Sequence, residues 1–166
     1  MKKIILVLVF IFSIQGISAQ SETTTYYLIR HTDKVLTNKG DRDPDLTKKG
    51  YLRAQKWAEV LSDVKFDMVY SSNYKRTIET AKPTAKANNI GINFYDPKKS
   101  YDKAFQKATK GKTVLIVGHS NSTPSFVNKI LGESKYVEID ESNYTNLYIV
   151  NVNKDSKNST LLHVDF

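Results

Sequence analysis

The run Thr-Val-Leu-Ile-Val-Gly at residues 113–118 has no polar side chain between its ends. A strand with one wet face alternates apolar and polar residues. A continuous apolar run of this length instead predicts a strand covered on both faces, as in a parallel sheet flanked by helices. The remaining segments agree with that architecture. TTYYLIR (24–30), FDMVYSS (66–72) and GINFYD (91–96) read as further strands. LTKKGYLRAQKWAEVLSD (46–63), NYKRTIETAKPTAKANN (73–89), SYDKAFQKATKGK (100–112) and STPSFVNKILG (122–132) read as helices between them. Thr47 is the expected N-cap of the first helix, and Gly111 and Gly132 close the third and fourth. Tyr51, Ala54, Ala58 and Leu61 are placed on one face of the first helix. Ile78, Ala81 and Ala85 are placed on one side of the second, where Pro83 predicts a kink or break. NLYIVNV (146–152) and STLLHVDF (159–166) end the chain as a hairpin around NKDSKN. The expected fold is α/β, a three-layer α/β/α sandwich with a mostly parallel central sheet.

The first twenty residues, MKKIILVLVFIFSIQGISAQ, follow a different plan. Two lysines precede an apolar stretch too short to span a bilayer, and small residues follow it. Residues 1–19 are read as a cleavable signal peptide and residues 20–166 as one domain. A periplasmic or secreted location follows, with no stable membrane association after cleavage. The full chain of 166 residues has 25 basic and 17 acidic side chains; loss of Lys2 and Lys3 leaves 23 against 17, or +6. The lysines are scattered rather than interleaved with aromatics, so nucleic acid is not expected as a partner. The chain has no cysteine, so an exported protein of this kind must be held by its core rather than by disulfides.

Ligands bind beyond the carboxyl ends of strands in sheets of this kind, and three strand ends here carry chemistry. TTYYLIR runs into Arg30-His31, FDMVYSS leads to Arg76, and TVLIVG ends at His119. Parallel neighbours would bring two arginines and two histidines to one edge. Guanidinium forks match phosphoryl oxygens in pairs and stay charged. A neutral imidazole held through its other nitrogen can attack phosphorus, and a second imidazole can stabilise charge in transit. Ser71 and Ser72 are read as turn-shaping and helix-capping residues, His163 as structural, and Asp45 as a turn residue. A metal site from His31, His119 and Asp33 conflicts with the flanking arginines, and no cofactor is expected.

Four ordered segments resemble the histidine phosphatase superfamily, the phosphoglycerate mutase-like fold. LIRHTDK is similar to its Arg-His-Gly signature, and DPDLTKKGYLRAQ to its Leu-Thr-x-x-Gly-x-x-Gln-Ala segment. DMVYSSNYKRTIETA is similar to its Ser-Ser-x-x-x-Arg-x-x-x-Thr-Ala segment, and VLIVGHSN to its second-histidine strand. The length resembles the short, SixA-like branch. The resemblance implies a phosphatase acting on a small phosphorylated substrate, with His31 as nucleophile and His119 as stabiliser of the phosphoryl group in transfer. Arg30 and Arg76 would bind that group, and Asp96 is the nearest match to a proton donor. Thr32 stands where the family usually has glycine and is expected to reshape the pocket floor; Thr32 and Asp33 mark where substrate preference would begin. The alternative reading is a catalytically silent phosphate-binding module of the same fold.

Overall fold

A computed structural model of the chain describes residues 22–36 and 40–166. The segment read as a signal peptide lies outside the described residues. The elements in order are β1 (Thr24–Arg30), α1 (Lys48–Val60), β2 (Met68–Ser72), α2 (Lys75–Ala87) and β3 (Ile92–Tyr95). A short 3-10 turn (Pro97–Lys99) leads to α3 (Lys103–Thr109), β4 (Thr113–Gly118), α4 (Ser122–Leu131), β5 (Asn146–Val152) and β6 (Lys157–His163). One six-stranded sheet has the order β3-β2-β4-β1-β5-β6. Strands β3, β2, β4 and β1 are parallel, and β5 and β6 complete the sheet antiparallel.

The apolar run at residues 113–118 is β4, and it is buried on both sides. Val114 and Ile116 pack with Tyr26, Leu28, Phe126, Val127 and Ile130 on the α4 side. Leu115 and Val117 pack with Ile29, Trp57, Val69 and Ala81 on the α1/α2 side. Each buried aliphatic side chain of this size contributes about 1.5–3 kcal/mol, so the central strands fix the layering. Register then aligns the strand ends: Arg30 pairs with Gly118, and Ser71 with Val117.

Two helical details differ from the sequence expectation. The buried face of α1 is Gly50, Ala54 and Trp57, continued by Leu61, while Tyr51 is 43% exposed. The face is rotated by about one residue because α1 meets the chain at Gly50. A Cβ there would lie 2.2 Å from the carbonyl oxygen of Asp33, so only glycine permits the approach, and Trp57 follows onto the sheet. Helix α2 runs through Pro83 without breaking. Thr80, Ala81, Thr84 and Ala85, on both sides of the proline, are buried, and that packing outweighs the one hydrogen bond the ring removes. Thr47 caps α1 as expected, its hydroxyl accepting from Gly50 N at 3.0 Å. Among the described residues no helix is long and apolar enough to cross a membrane.

Candidate active site

His31 directly follows β1, and its backbone N–H donates to Gly118 O at 2.9 Å. The residue is 2% exposed, and Nδ1 lies 2.8 Å from Thr32 O. A carbonyl only accepts, so Nδ1 carries the proton and Nε2 keeps its lone pair. Burial, and then the neighbouring charges of Arg30, His119 and Arg76, hold the His31 pKa down at about 3 against the opposing pull of the Thr32 carbonyl. The imidazole is therefore neutral across the physiological range.

His119 follows β4, with its ring centroid 5.5 Å from that of His31. Its Nδ1 is 3.3 Å from an amino group of Arg76, and its Nε2 is 2.8 Å from Ser72 Oγ. A guanidinium only donates, which makes Nδ1 the acceptor and places the ring proton on Nε2. A relay follows: His119 Nε2–H donates to Ser72 Oγ, which donates to Thr77 Oγ1 at 3.0 Å, which donates to Ser72 O at 2.8 Å. Burial, then Arg76 and Lys34, hold the His119 pKa down at about 4. Ser72 was expected to shape the turn; it also sets the orientation of the second histidine, a role that only the adjacency of β2 and β4 brings out.

The two guanidiniums differ in setting. Arg30 is 3% exposed. Its Nη1 donates to the carbonyls of Asp140 (2.9 Å), Glu141 (3.1 Å) and Asn143 (3.0 Å), and its Nη2 to Glu141 Oε2 (2.8 Å). Arg76, in the first turn of α2, makes longer contacts with Arg42 O (3.4 Å) and Asp43 Oδ1 (3.5 Å). Each cation lies 4.5 Å from the centre of a tyrosine ring, Tyr144 for Arg30 and Tyr74 for Arg76. Nε of both arginines is buried and has no hydrogen-bond partner in the structure. Paired orphan donors beside two imidazoles suit an oxyanion.

A cavity of about 640 Å³ brings His31, Arg76, His119 and Asp96 together, with Glu138 and Glu141 on its wall. Arg30 does not line it; its Nη2 donates to Glu141, which does. Asp96 is exposed and caps the 3-10 turn, its Oδ1 accepting from Lys98 N at 2.9 Å. Glu141 was missed by sequence reasoning, since residues 133–145 carry no periodicity to place them. Asp43 was missed too; Tyr74 supplies no cap bond to α2, and Asp43 Oδ1 accepts from Lys75 N at 2.9 Å instead.

Thr32 and Asp33 do not shape the cavity. Thr32 is fully buried, its hydroxyl donating to Gly50 O at 2.8 Å, and its N–H donates to Thr80 Oγ1 at 3.1 Å. Asp33 accepts from Arg53 Nε at 2.8 Å. Both side chains turn toward the α1/α2 layer and anchor the His31 loop to it. With its carboxylate on Arg53, Asp33 does not join the histidines, and among the described residues no group of three or more His, Cys, Asp or Glu gathers to hold a metal. His163 is exposed on the edge strand β6.

Fold and site together define an α/β protein with a cavity lined by two histidines and an arginine at the carboxyl edge of its parallel strands. A sequence profile of the histidine phosphatase superfamily (branch 1) matches residues 26–96, a range that holds Arg30, His31, Arg76 and Asp96 and stops short of His119. Phosphoserine phosphatase 1 of Hydrogenobacter thermophilus is 38% identical over 69 residues, which cover 39% of this chain and 33% of that protein. The match thus spans a third of that relative's length. SixA from Agrobacterium tumefaciens aligns with 84% of this chain and 97% of its own at 20% identity and a TM-score of 0.59. Phosphoglycerate mutase from Bacillus anthracis aligns with 86% of this chain and 93% of its own at 16% identity and a TM-score of 0.67. The two structures share the fold. Residues 26–96 thus resemble the histidine phosphatase superfamily, and the chain as a whole resembles the short, SixA-like structures in fold.

Proposed function

We propose that the chain is an exported, metal-independent phosphatase that hydrolyses a small phosphomonoester, or a related phosphoryl donor, through a phosphohistidine on His31. The observation that carries this reading is the state of His31: Nδ1–H is committed to Thr32 O, so the lone pair of Nε2 is available beside Arg76 and His119. In the first step Nε2 attacks phosphorus and the bond from phosphorus to the leaving oxygen breaks, that oxygen taking up a proton. In the second, water attacks phosphorus, the N–P bond breaks, and the electron pair returns to Nε2 as inorganic phosphate leaves. Arg30 and Arg76 neutralise the phosphoryl oxygens and His119 stabilises the charge that builds on them in transit. Residues 1–19 direct the chain to the periplasm or the medium and are removed there. The name of the curated relative makes phosphoserine the first substrate to assay.

Brief exposure of the mature protein to a labelled phosphoryl donor, followed by quenching, tests the nucleophile. An acid-labile label on the parent and none on His31→Ala is expected; equal labelling of His31→Ala would overturn it. N-terminal sequencing of the exported protein tests the signal peptide.

One observation favours the silent module instead: the terminal amino groups of Arg30 are already taken by the chain's own carbonyls and Glu141. Sustained metal-independent turnover of an aryl phosphate, abolished in His119→Ala, removes that reading.

A further inference from the structure

A phosphomonoester with an alkyl leaving group needs a proton donor, because a free alkoxide is too basic to depart. Asp96 lines the cavity but spends one oxygen capping the 3-10 turn. It makes no hydrogen bond or ion pair with Arg30, His31, Arg76 or His119. Glu141 is differently placed. One oxygen, Oε1, accepts from Ser120 Oγ at 2.6 Å. The other, Oε2, accepts from Arg30 Nη2 at 2.8 Å and lies 3.9 Å from Lys34 Nζ. The side chain is 65% exposed, on the wall of the same cavity as His31 and His119. Arg30 behind it is nearly sealed, so Glu141 is the group an incoming phosphoryl oxygen meets before it reaches that guanidinium.

We propose that Glu141 is the proton donor to the leaving oxygen and, in the second step, the base that takes a proton from the attacking water. This rests on the phosphohistidine reading of the site. In the empty site the Ser120 hydroxyl, and then Arg30 and Lys34, keep the carboxyl ionised. A phosphoryl dianion that takes Arg30 Nη2 removes the partner of Oε2 and sets two negative charges beside it, and both changes favour a proton on that oxygen. Ser120 retains Oε1, so the acid stays at the cavity wall. As the P–O bond breaks, Oε2 gives its proton to the leaving oxygen. The restored carboxylate then accepts a proton from water as the O–P bond forms and the N–P bond breaks, which regenerates the acid form that met the substrate; that proton leaves with the product phosphate or to water, and Oε2 returns ionised to Arg30 Nη2.

The test is a leaving-group comparison. kcat/KM covers only the steps through loss of the leaving group, so hydrolysis of the phosphoenzyme does not enter it. For Glu141→Gln, which keeps an acceptor for Ser120 but cannot transfer a proton, the ratio of kcat/KM for phosphoserine to that for 4-nitrophenyl phosphate is expected to fall about 100-fold or more. Glu141→Asp, which keeps the acid, should restore much of the ratio. A ratio unchanged in Glu141→Gln, with thermal unfolding near that of the parent, overturns the assignment and leaves Glu141 a structural partner of Arg30. The same ratio drop in Asp96→Asn and not in Glu141→Gln overturns it in favour of Asp96. Labelling of His31 is measured in the same preparations. A parent without label overturns the phosphohistidine reading and this inference with it; a labelled parent with an unchanged ratio overturns this inference alone.

Discussion

Arg30 and Arg76 are two guanidiniums of one site held in opposite ways. Arg30 is sealed at the end of β1, and three backbone carbonyls of the 140–143 turn grip one of its amino groups. Arg76 stands in the first turn of α2 on contacts of 3.3–3.5 Å to a histidine, a carbonyl and a half-exposed carboxylate. The first is framework, since its amino groups tie the 140–143 turn to the end of β1. The second has been left loosely occupied, which is the condition under which a charged group can be given to a ligand. One charge type thus holds a loop at one position and stays loosely bound at the other, and burial separates the two.

The largest effect should come from breaking the framework arginine. Arg30→Met is expected to lose about 3 kcal/mol of stability, because it removes the four hydrogen bonds by which a buried cation ties the 140–143 turn to β1. At this chain length that lowers Tm by about 6–12 °C, readable by urea and thermal unfolding. Next comes Arg76, the loosely held arginine. Inorganic phosphate at about 100 times its Kd should stabilise the parent by about 2.7 kcal/mol. Arg76→Met should lose most of that gain while changing the ligand-free stability by no more than about 1 kcal/mol. If the two variants show similar losses in both measurements, the division of labour is wrong.

Acidity separates the histidines from the arginines. Both imidazoles have folded pKa values below the unfolded one, at about 3 and about 4. As pH falls below about 6.5 the unfolded chain takes up protons that the native state refuses, so stability drops, by up to about 1.4 kcal/mol per pH unit for each imidazole. Above that pH the pair contributes no slope. Urea midpoints between pH 7 and 5 measure this, and His119→Gln should remove about half of the histidine share. The smallest effect belongs to the relay behind His119. Ser72→Ala removes the acceptor for Nε2–H and should cost about 1 kcal/mol of transition-state stabilisation, a fewfold loss of kcat/KM. Stability unchanged and activity unchanged would show that the ring needs no help from β2.

Much of this was legible in the sequence because it is local. Apolar runs marked the strands, and the residues just past them marked His31 and His119. The parallel order β2-β4-β1 then brought those ends together. What escaped reading depends on contacts between distant segments. Glu141 matters through Arg30, 111 positions away, and Ser72 through His119, 47 positions away. Thr32 looked like a pocket residue because it follows His31, yet its side chain turns to Gly50 and Thr80. The face of α1 was misplaced for the same reason: its phase is set at Gly50 by a backbone on another element, not by the helix's own pattern.

The grip of Arg30 on the 140–143 turn also orders events in time. Chains are made from the amino terminus, so Arg30 and His31 exist long before their lid does. The carbonyl of Asp140 is 110 positions later, and the turn that carries it is anchored by β5, which pairs with β1 itself. A growing chain can lay down the β/α units of its parallel half and still lack a finished pocket. Nascent or carboxyl-truncated forms would then carry every residue of the arginine and histidine set without the arrangement that brings them together, and completion of the sheet is what assembles the pocket.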